Sequence, residues 1–198
     1  MSRVLFECEN ISVDMAGANL NQQELRPASF KGVMRFWWRA MNGDKKNIEE
    51  LREEEAKIFG DTKRKSSFSI KMKKYQGIPT SFKIEFIVSP RCILDIENFF
   101  KTVVLLGGFG KSAKKQNMGK IKIVRVKRDE ENWIAYRHPN GLNNILKLLG
   151  DKFEIQNNEI ISKKFKFNYP MVHKIWIDNG VLKTKLKEDK IFQRELNV

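Results

Sequence analysis

A glycine-rich segment with several lysines and amides holds the groups best suited to bind an anion. It contains four glycines and seven polar or basic residues: Gly107, Gly108, Gly110, Lys111, Ser112, Lys114, Lys115, Gln116, Asn117, Gly119 and Lys120. Glycines let the backbone approach a phosphate, successive N–H groups can form an anion-binding nest, and lysines add positive charge. The segment has neither the GxxxxGK[ST] spacing of a P-loop nor the position of a dinucleotide fingerprint. It therefore predicts anion binding, and the alternative is a flexible surface turn.

A second basic cluster lies in the stretch 26–40. Basic side chains recur there at every fourth residue, at Lys31, Arg35 and Arg39. A helix places residues with this spacing on one stripe, where an acidic residue at i+4 is the usual partner. No Asp or Glu lies between Arg26 and Arg39. The stripe is equally compatible with a solvated face and with a binding surface.

Candidates for catalysis are isolated from one another. Asp14 lies in a polar loop, and neither His138 nor His173 has a carboxylate at motif spacing. A general base needs a positioned partner group, so a turn or capping role is favoured for Asp14. Cys8 and Cys92 give neither a disulfide framework nor metal-ligand spacing. The sequence therefore predicts no metal and no cofactor.

The spacing of large apolar residues predicts a helix over 30–41, with Ser29 before it as the cap. Pro27 favours extended backbone before it, Ser29 is a suitable N-cap, and Asn42-Gly43 supplies a stop. Apolar residues at i, i+3, i+4, i+7, i+8 and i+11 form the face predicted to enter the core: Phe30, Val33, Met34, Trp37, Trp38 and Met41. A second helix over 47–59 is rich in glutamate, and we expect its acids to form a solvated face.

Strand and helix patterns follow the order β, α, α, β, β, α, β between residues 3 and 127. Alternating polar and apolar residues predict strands at 67–73 and 82–88, an apolar helix is predicted over 95–106, and another strand covers 121–126. With the acidic helix set aside, this order is typical of a ferredoxin-like (RRM-like) α+β fold. In that fold, helices cover one face of an antiparallel sheet.

We predict a division into a ferredoxin-like domain at 1–128 and a smaller C-terminal α+β extension at 129–198. Within the extension, 141–149 is predicted to be helical and 160–167 to be extended. The turn 178–180, Asp-Asn-Gly, predicts a tight hairpin. The last eleven residues are charged, and we expect them to fray.

Positive charge is concentrated in the middle of the chain. The 198 residues carry a net charge of +14. Residues 1–60 contribute −1, residues 61–128 contribute +13, and residues 129–198 contribute +2. A field concentrated in this way indicates a polyanionic partner, with nucleic acid ahead of an anionic membrane. No basic amphipathic helix at either end supports the membrane alternative.

The composition, with 41% hydrophobic and 31% charged residues, is that of a globular protein. No apolar run is long enough to span a bilayer, and acidic residues near the N-terminus are unlike a signal peptide. We therefore expect a cytoplasmic protein with reduced thiols and no membrane partner.

Three features together resemble the RAMP proteins of CRISPR type III effector complexes. They are the ferredoxin-like order, the loop with its glycines and lysines, and the Pro27-x-Ser29-Phe30-Lys31-Gly32-x-x-Arg35 entry to the first helix. The run Arg35-Phe36-Trp37-Trp38-Arg39-Ala40, with Glu55-Ala56-Lys57-Ile58-Phe59-Gly60 after it, looks like the first-numbered subunit of the type III-B Cmr complex. The resemblance covers about residues 3–127.

The chain departs from that family in two respects. The arginine pair usual in the loop is replaced by Lys114-Lys115, with looser spacing to the glycine that follows. Family members usually carry two ferredoxin-like units, and the residues after 128 are barely enough for a second. We therefore expect an incomplete second unit or an extension, in a short member or a fragment.

The resemblance implies binding rather than turnover. Such a subunit caps the backbone of an RNA-guided antiviral complex near the 3′ end of the guide RNA, and contacts guide RNA, target RNA and other Cmr subunits. Carried over by position, the residues near RNA are Arg26, Ser29, Lys31, Gly32, Arg35, Arg39 and the loop from Gly107 to Lys120. The alternative is an endoribonuclease, because related RAMP subunits cut target RNA with an Asp after the first strand, where this chain has Asp14.

Overall fold

The computed structural model of the protein describes residues 1–13, 25–43, 47–73, 75, 79–110, 119–164, 171–186 and 191–195. Its elements are β1 (Ser2–Asn10), α1 (Pro27–Met41), α2 (Ile48–Phe59), β2 (Phe68–Met72), β3 (Ser81–Val88), α3 (Ile96–Leu106), β4 (Ile121–Arg128), β5 (Ile134–Ala135), α4 (Leu142–Leu149), β6 (Phe153–Gln156), β7 (Glu159–Ser162), β8 (Val172–Asp178), β9 (Val181–Leu186) and β10 (Ile191–Glu195). None of the helices in these described ranges is long and apolar enough to cross a membrane.

The first sheet has the strand order β2-β3-β1-β4-β5 and is antiparallel throughout. In its centre, Phe6 of β1 lies opposite Ile84 of β3 and Val126 of β4. Apart from the short β5, this is the ferredoxin-like order, so the predicted α+β fold class is confirmed. The short β5 joins this sheet from beyond residue 128, and the division of the chain at that residue stays a prediction.

Aromatic residues join the sheet to α1 and α3. The ring centroids of Phe6 and Phe100 are 4.7 Å apart, and those of Phe30 and Phe82 are 5.8 Å apart. Such pairs add to the burial of large apolar surface. The same core encloses Cys8, and burial raises the pKa of its thiol above the ordinary value. Both helices therefore cover one face of the sheet, as predicted.

One buried carboxylate ties α3 to β4. Glu97 accepts hydrogen bonds from Arg128 at 2.5 and 2.6 Å and from Lys101 at 2.5 Å. Burial alone raises the pKa of Glu97, but these hydrogen bonds outweigh it and hold the pKa below its ordinary value. The C-terminal end of β4 is thereby fixed against the start of α3.

The second sheet has the order β10-β9-β8-β7-β6. Asn179 and Gly180 have φ of 49° and 76° in the β8–β9 turn, so the predicted tight hairpin is confirmed. A second hairpin, not predicted from the sequence, turns at Asn157 and Asn158 between β6 and β7. The fraying expected at the C-terminus is wrong for 191–195, which pairs with β9. The two sheets share a core because α3 contacts both α4 and β10.

Candidate nucleic-acid interface

α1 begins at Pro27, three residues earlier than the sequence predicts. Arg26 is the N-cap residue, with extended backbone (φ −118°, ψ 135°). Proline suits the first helical position because its fixed φ is helical and its missing N–H would have no intrahelical partner there. Ser29 lies inside the first turn and donates its N–H to the Arg26 carbonyl at 3.0 Å. The prediction that Ser29 caps the helix is therefore wrong.

The outer face of α1 consists of Ala28, Gly32 and Phe36, which are exposed, whereas Ser29 is half-buried. A Cβ built on Gly32 meets no atom of the described residues within 4 Å. Glycine in a helix interior is less favourable than alanine by about 1 kcal/mol. Packing within the described structure therefore gives no reason for a glycine at this position.

Two arginines of the predicted basic stripe turn toward α2 and contact Glu55. Arg39 donates to both carboxylate oxygens, with Nη2 2.6 Å from Oε1, and Arg35 Nε lies 3.0 Å from Oε1. The Glu55 side chain is only 8% exposed. The stripe therefore does have an acidic partner, and the solvated face predicted for α2 is wrong at this glutamate.

The sequence contains a signal that Glu55 is buried, although α2 has several other glutamates that make it hard to notice. Glu55 follows Leu51 by four residues and precedes Ile58 by three, and both apolar residues are buried. Helical spacing therefore puts the carboxylate on the buried face of α2. A carboxylate in that position needs cationic partners, and the arginines of α1 supply them.

Arg35 also closes the C-terminal end of α2. Its Nη2 donates to the carbonyl oxygens of Gly60 at 2.7 Å and Phe59 at 3.3 Å. A cation is favourable there because the helix dipole leaves partial negative charge at the last carbonyls. Lys31 lies beside it, with Nζ 5.3 Å from the centroid of the Phe68 ring. Burial lowers the pKa of Lys31, and the neighbouring Arg35 lowers it further.

Gly107, the first glycine of the loop, packs against the indole of Trp37. A Cβ at Gly107 would lie 2.0 Å from Trp37 Nε1 and 2.7 Å from Cε2. The Gly107 φ is −120°, which any residue adopts, so the requirement for glycine here is one of space. The structure thus gives this glycine a packing role in addition to the anion-binding role predicted from the sequence.

The two ends of the loop meet beside the first turn of α1. Phe109 N donates to the Gly119 carbonyl and Gly119 N donates to the Ser12 carbonyl, both at 2.7 Å. Gly110 and Gly119 have φ of 91° and 76°, which favour glycine. The Phe109 ring is buried with its centroid 4.9 Å from that of Phe30 in α1. The loop therefore leaves the core next to the start of the helix.

Lys120 belongs to this base of the loop rather than to the surface. It is 5% exposed, and its backbone N–H donates to Ser12 Oγ at 3.1 Å. Its carbonyl accepts from the N–H groups of Ile11 and Ser12. The burial argues against the phosphate contact predicted from the sequence for the Lys120 side chain.

Several predicted site residues lie outside the described residues: Asp14, Lys111, Ser112, Lys114, Lys115, Gln116 and Asn117. Their roles stay predictions. The first of these segments follows residue 13, after β1, and ends before residue 25, which precedes α1. The second lies between residues 110 and 119, at the base of the loop.

Both histidines lie within the folded structure. His138 Nε2 accepts a hydrogen bond from Ile123 N at 3.2 Å, and its ring lies 4.9 Å from that of Tyr136. His173 is a half-buried residue of β8. The described part of the chain contains no group of three or more His, Cys, Asp or Glu side chains placed to hold a metal ion.

The structure thus places an exposed helix face without acids beside the base of a glycine- and lysine-rich loop. Backbone N–H groups, a helix N-terminus and basic side chains are the groups that contact phosphates in nucleic-acid complexes. Such contacts fix the position of a strand without reading its bases.

Comparison with known proteins identifies a family and several relatives of this chain. A family model described as the RAMP superfamily matches residues 16–197. The CRISPR system Cmr subunit Cmr1-2 of Pyrococcus furiosus is 46% identical over 69 residues, which cover 33% of this chain and 37% of that protein.

Solved structures show the same fold. The apo crystal structure of Cmr1 from Pyrococcus furiosus matches with a TM-score of 0.51 and 22% identity, over 63% of this chain and 50% of that one. A cryo-EM structure of the type III-B Cmr-beta bound to cognate target RNA matches with a TM-score of 0.50 and 10% identity, over 64% and 55%. The matches span about half of these relatives' length or less.

Proposed function

Because the chain belongs to the RAMP superfamily, we propose that it is a non-catalytic, RNA-binding structural subunit of a type III-B (Cmr) RNA-guided antiviral complex. It caps the protein backbone of that complex near the 3′ end of the guide RNA, and contacts guide RNA, target RNA and other Cmr subunits. Two findings support this assignment: the similarity to Cmr1-2 of Pyrococcus furiosus, and the fold shared with Cmr1.

The observation that carries the RNA-binding proposal is the open surface at Gly32. A glycine in the middle of a helix lowers stability, and no described residue occupies the space beside it. A partner backbone that lies directly on the helix would explain the glycine, because any side chain would hold that partner away. The outer face of α1 has no acid and adjoins the base of the glycine-rich loop, and the lysines of that loop favour an RNA strand as the partner.

The proposed contacts go to phosphates and sugars. The guide delivers sequence recognition by base pairing, so the protein needs only to hold the duplex or strand by its backbone. Affinity then falls with salt, with a log–log slope of roughly −0.7 for each phosphate contacted on a single strand. Replacing Lys111, Lys114 and Lys115 with alanine weakens binding to all RNA sequences about equally.

Two substitutions at Gly32 test the helix surface. Gly32→Ala and Gly32→Gln both favour the helix, and both add a side chain where the strand would lie, with glutamine projecting further. We expect Gly32→Ala to lose about threefold and Gly32→Gln about tenfold in affinity for guide RNA, equivalent to about 0.7 and about 1.4 kcal/mol. Fluorescence anisotropy at fixed salt measures both variants. Equal affinity of the glutamine variant and the wild type would show that RNA does not approach this face.

The non-catalytic part of the proposal has its own test. The purified protein, alone and within its complex, is incubated with magnesium and a target RNA that matches the guide. The proposal predicts that this subunit contributes no cleavage, so that Asp14→Asn leaves the products of the complex unchanged. Cleavage that disappears in the Asp14→Asn variant would instead assign the subunit as an endoribonuclease.

A further inference from the structure

The loop 60–66, between α2 and β2, has a backbone fixed by its own hydrogen bonds. Asp61 Oδ1 accepts from Lys63 N at 2.8 Å and Arg64 N at 2.7 Å, and Asp61 N donates to the Arg64 carbonyl at 3.0 Å. The hydrogen bonds from the two backbone N–H groups hold the pKa of Asp61 below its ordinary value. The loop therefore keeps one shape and directs the side chains of 63–65 outward.

Both ends of the loop 60–66 are anchored. Gly60 has φ of 77°, and a Cβ there would lie 2.7 Å from Ser66 N, so no other residue fits without movement. Ser67 donates its N–H and its hydroxyl to the Ile58 carbonyl, each at 2.9 Å. Arg91 Nη2 donates to the Lys65 carbonyl at 3.0 Å. These contacts make the backbone of the loop rigid, although exposed lysines could equally stand on a flexible loop.

An open groove of about 760 Å³ separates the loop 60–66 from α1. Five cationic residues line this groove: Lys31, Arg35, Lys63, Arg64 and Lys65. Asp61 is the one acid among the lining residues, and its Oδ1 is occupied by backbone N–H groups. At the rim, Arg64 lies 3.9 Å from Glu53, a distance at which exposed charges interact weakly. Arg35 is paired with Glu55, so the excess of positive charge in the groove comes from the other four cations, which face the single acid Asp61.

The floor of the groove does not reduce this excess of positive charge. The C-terminal carbonyls of α2, which would carry partial negative charge, accept hydrogen bonds from Arg35. Burial and the charge of Arg35 both disfavour the protonated form of Lys31. A bound anion would relieve this repulsion, because it stabilises each cation that it approaches.

We propose that this groove is a second phosphate-binding site, which holds the RNA backbone after it crosses the outer face of α1. The inference rests on the proposed function, since Lys31 and Arg35 belong both to the groove and to the helix that carries that face. A strand lying on Gly32 reaches the groove without leaving α1. The preformed loop presents Lys63 and Lys65 to the strand with little loss of backbone entropy on binding.

An acidic protein segment is the other polyanion that could lie in such a groove. Stable protein interfaces depend on buried apolar anchors. Among the lining residues the large apolar side chain is Phe59, which is buried beneath the guanidinium of Arg35. A groove lined almost wholly by cations and polar groups fits the phosphates of RNA better than the surface of a protein.

The test compares two double variants with the same change in charge. Lys63→Ala/Lys65→Ala removes two exposed cations of the groove, and Lys71→Ala/Lys73→Ala removes two exposed cations of the β2 segment. Both leave the backbone hydrogen bonds of the loop intact, and thermal melting checks that both variants fold. Binding to single-stranded oligouridine and to guide RNA is measured across a range of salt concentrations.

In the groove variant, we expect the log–log slope of affinity against salt concentration to be smaller in magnitude by roughly 1.4, because two phosphate contacts are lost. The control variant should keep the wild-type slope. If both double variants behave alike while Gly32→Gln still weakens binding, the groove proposal is wrong and the proposed function stands. If the wild type binds no RNA, both are wrong. If the groove variant loses a partner subunit but keeps its RNA affinity, the occupant is protein, and the phosphate site is refuted.

Discussion

The contact between Gly107 and Trp37 makes a quantitative prediction about stability. In Gly107→Ala, the new Cβ would lie 2.0 Å from Trp37 Nε1, 2.7 Å from Cε2 and 3.0 Å from Cδ1. Favourable contacts between heavy atoms begin near 3.5 Å, so the indole must move by more than 1 Å. Trp37 is 1% exposed and the interior is densely packed, so the movement is resisted on all sides.

Overpacking of this kind typically destabilises a protein by 1–3 kcal/mol, and an overlap with a rigid indole belongs at the upper end. We therefore expect Gly107→Ala to lower the free energy of unfolding by about 3 kcal/mol. For a chain of this size each kcal/mol shifts Tm by about 2–4 °C, so Tm should fall by about 6–12 °C. Urea unfolding and thermal melting measure the two quantities independently.

Gly32→Ala is the matched control, because it makes the same chemical change in open space. No atom of the described residues lies within 4 Å of the new methyl group, and alanine favours the helix by about 1 kcal/mol. Its Tm should rise by about 2–4 °C. A Gly107→Ala variant that melts at or above the wild-type temperature would refute the packing role of Gly107.

Three further predictions follow from buried groups. Glu55→Gln should lower the free energy of unfolding by about 2 kcal/mol in urea titrations, less than for a fully buried pair because the arginine partners are about one-third exposed; the exposed Glu49→Gln should change it little. The folded pKa of Glu97 is lowered, so its carboxylate stabilises the fold above its unfolded pKa, and this contribution is lost as pH falls. The free energy of unfolding, measured from pH 7 to pH 3, should therefore fall less steeply with pH in Glu97→Gln than in the wild type. An equally steep fall in both would contradict this role of Glu97. Alkylation of the native protein should label Cys92 and spare Cys8, which is fully buried with a raised thiol pKa; modification of both at equal rates would be inconsistent with the burial of Cys8 in the core.

The periodicity of apolar residues predicted most of the first sheet and its helices. α3, for example, spans Ile96–Leu106, within one residue of the predicted range 95–106. Phe30, Met34 and Trp37 are buried at the spacing that predicted the core face of α1. These features could be predicted from the sequence because they depend on residues close together in the chain.

The features that could not be predicted depend on contacts distant in sequence. The helical spacing of Glu55 indicates that it is buried, but nothing local identifies the arginines of α1 as its partners. Nothing local places Trp37 over Gly107 either. The second sheet is built from short strands such as β6 and β10, whose patterns are too brief to separate from loops. Pro27 favours extended backbone before it, but it is also a favourable first residue of a helix, and the second property decides where α1 begins.

The central claim is that RNA lies on the outer face of α1 and at the base of the glycine-rich loop. Photo-crosslinking of guide RNA in the assembled complex, followed by identification of the modified peptides, tests it most directly. RNA bound in this way should give crosslinks within 26–39 and 107–120, and those on the helix should be lost in Gly32→Gln. Crosslinks confined to the C-terminal sheet, with none in either segment, would contradict the claim.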